Sequence, residues 1–473
     1  MFGGQVGKDA NGSSFTDGRR SYVTRGNYEY KKRYFLEASL RVDGSVAFPQ
    51  SKKWGYFPSL SAGWLLNEEA FFKDNPKLAF IDQFKIRASY GQVGNDRNVY
   101  NGRIPTYQYL QAFNLDGSSV QDGGTLIAGD SPVTMFAPGV LPNPNITWER
   151  ASIGNLGFDA SLWGGKMQFE LDLFYKRTSD ILGTRIRSIP ATLGASLPSE
   201  NYAIMDNKGI EFSITRKGNF GKLKLYVNAN GSFSENKVIK LDEPSNIPDY
   251  LLQTGRRYGF LVGYKTIGYF QSDTDVADYL PQFNGGQKPG DVKYADINKD
   301  GKIDTNDRTI ISMNNNQPKI TYGLTLGGSY EGFDFNILFQ GVAKANLMLE
   351  RTARNFAILA GDNNFVEMLD YWTPQNPNAK YPAPSATAAP ENQFDSNLYL
   401  RDASFLRLRS VNVGYTLPKH LLDKIRVEKL RIYLSGTNLF VLDKLMFDPE
   451  AETGTGVYYP QQRSFNLGFN FTF

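Results

Sequence analysis

The sequence predicts an all-β fold: an antiparallel transmembrane β-barrel, partial, of about 13 strands with long extracellular loops. Three observations predict it. Apolar and polar residues alternate with period two along most of the chain, which puts one face of each segment in an apolar medium and the other in a polar one. The connections between these segments alternate short and long. Phe, Trp and Tyr make up 14% of the 473 residues and gather toward segment ends. No apolar run approaches the ~20 residues of a membrane helix, so any crossing is made by strands.

The elements follow in order. In 33–45, Tyr34, Leu36, Ala38, Leu40 and Val42 oppose Glu37, Ser39, Arg41 and Asp43. In 82–94, Phe84, Ile86, Ala88 and Tyr90 oppose Lys85, Arg87 and Ser89. In 165–180, Met167, Phe169, Leu171, Leu173 and Tyr175 oppose Gln168, Glu170, Asp172 and Lys176. The other segments are 20–30, 54–66, 147–163, 203–217, 221–236, 319–330, 332–345, 400–417, 428–442 and 462–473. The last closes on Phe465, Leu467, Phe469, Phe471 and Phe473, and its terminal aromatic suits both a girdle and a barrel-assembly signal.

Tight connections fall at 31–32, 163–166, 217–220 and 330–333, with mid-length ones at 67–81 and 418–427 on the same side. Opposite them run 95–146, 181–202, 237–318, 346–399 and 443–461; only 45–53 is short for its side. Outer-membrane barrels have short periplasmic turns and long extracellular loops. Tyr34, Trp64, Tyr90, Trp148, Tyr175 and Phe473 fit interfacial girdles. Arg41, Lys85, Arg87, Glu170, Asp172, Arg407 and Arg409 would face a wet lumen.

Composition narrows function. The net charge of +4 points to no nucleic-acid partner. With no cysteine, disulfides and thiolate sites are excluded, and the one histidine, His420, lies in a short predicted periplasmic helix. Glu170 and Asp172 share a strand face about 7 Å apart, as a glycosidase pair would, but alternation already explains them. No enzyme is expected. Loop aromatics Tyr107, Tyr109, Tyr371, Trp372, Tyr458 and Tyr459 could stack on sugar rings, pack the loops or meet a lid protein.

The sharpest motif is a calcium-type loop at 296–307, within the 237–318 excursion. Asp296, Asn298, Asp300, Asp304 and Asp307 place side-chain oxygens at positions 1, 3, 5, 9 and 12, and Lys302 offers its carbonyl at position 7. Gly301 permits the sharp turn and Ile303 anchors it. Asp at position 12 has a shorter reach than the usual Glu. A structural Ca²⁺ is expected here, the alternative being an Asx-rich turn.

Nine segments in order resemble the SusC/RagA family of TonB-dependent outer-membrane transporters of Bacteroidetes-type bacteria. They are YKKRYFLEASLRVDGS, WGYFPSLSAGWLLNEEAFF, FKIRASYGQVGND, NPNITWERASIGNLGFDASL, FYKRTSDIL, MDNKGIEFSI, GDVKYADINKDGKIDTNDRTII, LYLRDASFLRLRSVNVGYTLP and FNLGFNFTF. The resemblance implies energy-driven import of large nutrients, most often glycans or oligosaccharides and sometimes peptides. It implies as partners a SusD/RagB-like surface lipoprotein, the TonB–ExbB–ExbD complex reached through a plug, and outer-membrane lipid.

Such barrels have about 22 strands. Residues 20–473 therefore read as the carboxyl-terminal part of the barrel, and 1–19 as the remnant of a preceding loop. The plug and about nine strands are expected outside this chain, since an odd count starts on the wrong side of the membrane. Two other readings stay open: a passive porin-like barrel, and a soluble calcium-dependent sugar-binding β-protein.

Overall fold

A computed structural model of the chain describes residues 18–96, 107–111, 113–114, 127–128, 131–132, 137–185, 197–244, 247–349, 354, 366–384, 390–422, 427–450 and 459–473. Residues 1–17 of the predicted leading loop, and Tyr458, lie outside them.

One 13-stranded sheet organises the protein, with its strands adjacent in chain order and every pairing antiparallel. Its strands are β1 (Arg19–Tyr30), β2 (Tyr34–Ser45), β3 (Trp54–Leu65), β4 (Ile81–Asn95), β5 (Glu149–Leu162), β6 (Met167–Thr184), β7 (Ser199–Phe220), β8 (Leu223–Lys240), β9 (Ile320–Tyr330), β10 (Phe333–Ala343), β11 (Phe405–Thr416), β12 (Lys429–Leu442) and β13 (Ser464–Thr472). The strand count is as expected. Among the described residues β1 pairs only with β2, and β13 only with β12.

Register makes the two faces continuous. Leu36, Ala62, Ala88, Leu156, Leu173, Ile210, Phe233 and Ile320 lie opposite one another strand by strand from β2 to β9. The apolar residues on this face are outward and uncovered; Leu60 is 52% exposed and Phe465 76%. A water-soluble sheet does not leave a face of this extent bare, whereas a lipid-facing one must. Near the short-turn rim, Tyr34 stacks between Tyr30 and Trp64, and Phe80 lies on Trp163. The tight turns use left-handed backbone, at Lys31 and Lys32 (φ 52° and 56°) and at Glu331 and Gly332 (φ 44° and 92°).

The structure departs from the sequence reading in three places. Trp148 is not a girdle residue: it is 4% exposed and packs on Phe48 and Phe57 in a small outer-rim core with Ile146 and Leu182. That core holds down the short 45–53 connection, whose Lys53 carbonyl accepts from Trp148 Nε1. The predicted strand 400–417 is divided: Leu400–Asp402 pairs with Asn346–Met348 above the sheet, and β11 starts at Phe405. The Ser404 amide donates to the Asp402 carboxylate at that break. Third, β7 and β8 run on to Ser199 and Lys240, beyond the ends expected at 203 and 236, and rise past the apolar band.

The long connections carry structure of their own. Leu261–Gly263 pairs with Thr309–Ser312, and Thr266–Tyr269 with Val292–Tyr294. They share an aromatic core of Tyr264, Tyr269, Tyr294 and Trp372, with Phe283 and Phe394 against it. Two loops distant in sequence thus build one packed cap on the outer rim.

Candidate functional site on the lumen wall and outer rim

On the lumen wall, the Arg87 guanidinium on β4 forks between two carboxylates. Its Nη2 lies 2.7 Å from Asp159 on β5, and its Nη1 3.1 Å from Asp172 on β6. Gly157 makes this possible: it lies opposite both Arg87 and Asp172, and a Cβ there would sit 2.6 Å from Arg87 Cζ. On β12, Arg431 repeats the device, donating to Asp334 at 2.8 Å over Gly414. Between them, apart from the exposed Glu211 opposite Asp172 and Ser232, the wall carries a neutral, hydrogen-bonding stripe. Asn228 donates to Ser213 and Thr215, Asn230 to Asn228, and the Ser232 and Thr321 hydroxyls pair.

The other expected lumen residues divide. Arg41 pairs with Asp43, and the Lys85 ammonium sits 5.0 Å above the Phe35 ring. Asp172 is taken up by Arg87, so Glu170 and Asp172 do not form an acid–base pair. Arg407 is not lumen lining: its side chain is 3% exposed and clamps Asp448 and Glu450 of the connection after β12. Arg409 reaches the same Glu450 at 3.2 Å and Asn438 at 3.0 Å. Trp372 is buried in the cap, its Nε1 donating to Gln271, and Tyr371 packs against a separate cluster of Leu349, Met368, Tyr381 and Tyr399. Tyr107 and Tyr459 are exposed, at 53% and 71%, and Tyr107 meets Tyr109 edge-on. His420 is exposed on the four-residue helix Lys419–Leu422.

The calcium-type loop is a tight turn. Asp296 accepts from the amides of Lys299 and Gly301, and Gly301 sits at φ 84°. Asn298 accepts from the Asp300 amide, and Asp300 from that of Lys302. Asp307 is fully buried and ties the ends of the loop together, accepting from the Ile297 and Asp304 amides. Ile303, 1% exposed, anchors the turn to the cap through backbone bonds with Pro281 and Phe283. The Lys302 ammonium lies 2.6 Å from Asp304 and 4.0 Å from Asp300, so a cation already stands between two of the expected ligands. It holds the Asp304 carboxyl below its usual range. Among the described residues no three His, Cys, Asp or Glu side chains converge as a metal shell. The donor set is all oxygen and suits a hard cation, with Lys302 swung aside.

Sequence reasoning missed the Arg87–Asp159–Asp172 fork, the Arg407 clamp and the sharing of one cap by two loops. Each joins residues far apart in sequence, and alternation carries no signal for that.

The family model for TonB dependent receptor-like, beta-barrel proteins matches residues 2–439. TonB-dependent receptor P26 of Formosa agariphila is 30% identical over 96% of this chain and 46% of its own length. TonB-dependent receptor SusC of Bacteroides thetaiotaomicron is 26% identical over 96% of this chain and 43% of its own. Among solved structures, the RagAB peptide transporter superposes with a TM-score of 0.75 at 20% identity, over 96% of this chain and 48% of that one, a likeness of fold. The chain spans about half the length of the curated relatives it matches. These relatives are receptors, not enzymes, and the apolar face of the sheet is the outer-membrane surface of such a barrel. The chain belongs to the TonB dependent receptor-like, beta-barrel family.

Proposed function

We propose that this chain is part of the barrel wall of a TonB-driven importer of large nutrients, with glycans or oligosaccharides as the substrate class. The observation that carries the reading is the pairing of a lipid-compatible outer face with a polar, hydrogen-bonding lumen wall beneath a folded cap. The neutral Asn228–Asn230–Ser232–Thr321 stripe and the exposed Tyr107 and Tyr459 suit hydroxyl-rich, ring-bearing ligands better than charged ones. A SusD/RagB-like lipoprotein would seat on the cap. The free edges of β1 and β13 would pair with the remaining strands, since an unpaired backbone group in lipid costs several kcal/mol. TonB coupling would run through the plug. The test is uptake of labelled oligosaccharide and labelled peptide pools by cells with and without the receptor. Receptor-dependent oligosaccharide uptake that stops with a protonophore supports the proposal; peptide uptake alone moves the substrate class to peptides.

We also propose that Asp296, Asn298, Asp300, Asp304, Asp307 and the Lys302 carbonyl hold a structural Ca²⁺ that stiffens the cap. Its support is the Asp296–Gly301 turn and the all-oxygen donor set. Calorimetric titration of the receptor with Ca²⁺ tests it, with Asp300→Ala as the control that should lose binding.

A further inference from the structure

The outward face of the sheet is apolar through the membrane band, but on β6, β7 and β8 it ends in charge. Tyr175, Lys208 and Glu235 form one outward row, and Arg177, Asp206 and Lys237 the next. These rows lie above Leu173, Ile210 and Phe233 on the same face. From Phe220 at the inner end of β7, Lys208 is 12 residues along. That is about 40 Å of strand and, at a tilt near 40°, about 30 Å of height, just past the ~25 Å apolar band. The rows therefore stand at headgroup level in the outer leaflet.

A cavity opens at this level, about 350 Å³ in volume, lined by Lys208, Lys237, Arg256 and Arg257 together with Asp206 and Glu235. Its anions are already satisfied: Asp206 holds Arg177 at 2.7 Å, and Glu235 holds Lys319. Arg256 leans on Asp249 at 3.2 Å. Lys208 and Lys237 are exposed and enter no ion pair among the described residues. Arg257 is 6% exposed and donates to the Asn314 side chain and the Gln317 carbonyl, while its buried Nε has no partner. Lys208 and Lys237 act on Glu235 and Asp206 only through space, and a largely buried guanidinium with a spare donor beside these two ammonium groups is costly unless an anion completes it.

We propose that this cavity binds the phosphate of a phosphorylated glycolipid headgroup in the outer leaflet, anchoring β6–β8 to the lipid around the barrel. Lys208 and Lys237 meet the phosphate as mobile point charges. Arg257 supplies the directional donor from behind, and the apolar row below receives the acyl chains.

The test uses the intact receptor extracted from outer membranes in a mild nonionic detergent and examined by native mass spectrometry. It is challenged with lipid A, with enzymatically dephosphorylated lipid A, and with inorganic phosphate. The wild type should retain phosphorylated lipid A about tenfold better than the dephosphorylated form, and millimolar inorganic phosphate should not displace it. Lys208→Gln/Lys237→Gln should lose that preference, while Lys85→Gln on the lumen face should keep it. Each lysine is also replaced singly, so a poorly folding pair still leaves two readable variants. Equal retention by wild type and variants, no preference for the phosphorylated form, or displacement by free phosphate would each overturn the proposal.

Discussion

Arg87 reaches Asp172 across Gly157, at 3.1 Å, two strands from its own. The contact exists because one residue in the intervening strand has no side chain. It joins β4, β5 and β6 on the lumen side, where no lipid packs to hold them.

Gly157→Val should therefore destabilise the barrel through crowding of the guanidinium, by about 1–3 kcal/mol. The temperature at which the folded band disappears on SDS gels reads this out. Gly154→Val is the comparison: a Cβ at Gly154 meets nothing closer than 4.0 Å, so it should cost much less.

Sidedness sets the cost of a new charge. Ile214→Arg, in the middle of the apolar band, faces lipid and should cost about 2–4 kcal/mol, whereas Thr321→Arg, on the lumen side, should cost under about 1. Urea titration of the refolded receptor in vesicles measures both.

Breaking the Arg407 clamp should free the connection after β12 without opening the sheet. Arg407→Met leaves Asp448 and Glu450 facing a buried position, a loss of about 3–5 kcal/mol for a buried pair. Hydrogen exchange should speed up across 443–450 and stay unchanged in β6.

The cap should respond to alkali before the barrel does. Burial pushes the Tyr269, Tyr294 and Tyr399 phenols well above their ordinary value. A group raised on folding contributes stability that is whole below its unfolded pKa, about 10, and is lost as pH rises through its folded one. Absorbance at 295 nm should show exposed tyrosines ionising near pH 10 and the buried set only when the cap opens, with strand circular dichroism still intact.

Calcium saturating the loop at about a hundred times its Kd should stabilise the cap by about 2.7 kcal/mol. EGTA should remove the gain, and Asp304→Asn should blunt it. The Asp304–Lys302 pair works with opposite sign to the phenols. A carboxyl lowered on folding contributes stability above the ordinary carboxylate range and loses it as pH falls through its folded value.

The strands were legible in the sequence because period-two alternation reports which medium each face meets, and Tyr34 to Val42 or Phe465 to Phe473 carry that signal alone. What was not legible depends on partners far away in the chain. Trp148 has the sequence signature of a girdle residue, and only Phe48, Phe57 and Leu182 closing over it make it core. Arg407 sits at a lumen-type position by alternation, but Asp448 and Glu450, 41 and 43 residues on, bury it. The calcium-type loop was legible as a motif because its residues are local; the cap that anchors it through Ile303 was not.

The central claim is that this sheet faces lipid on one side and water on the other. The chain has no cysteine, so single substitutions along β6 can be labelled without background. In outer membranes, Asp172→Cys, Phe174→Cys and Lys176→Cys should react with a water-soluble maleimide. Leu171→Cys and Leu173→Cys should resist it and have their attached fluorophores quenched by spin-labelled lipid. Equal reaction at all five positions, with no lipid quenching, would contradict the account.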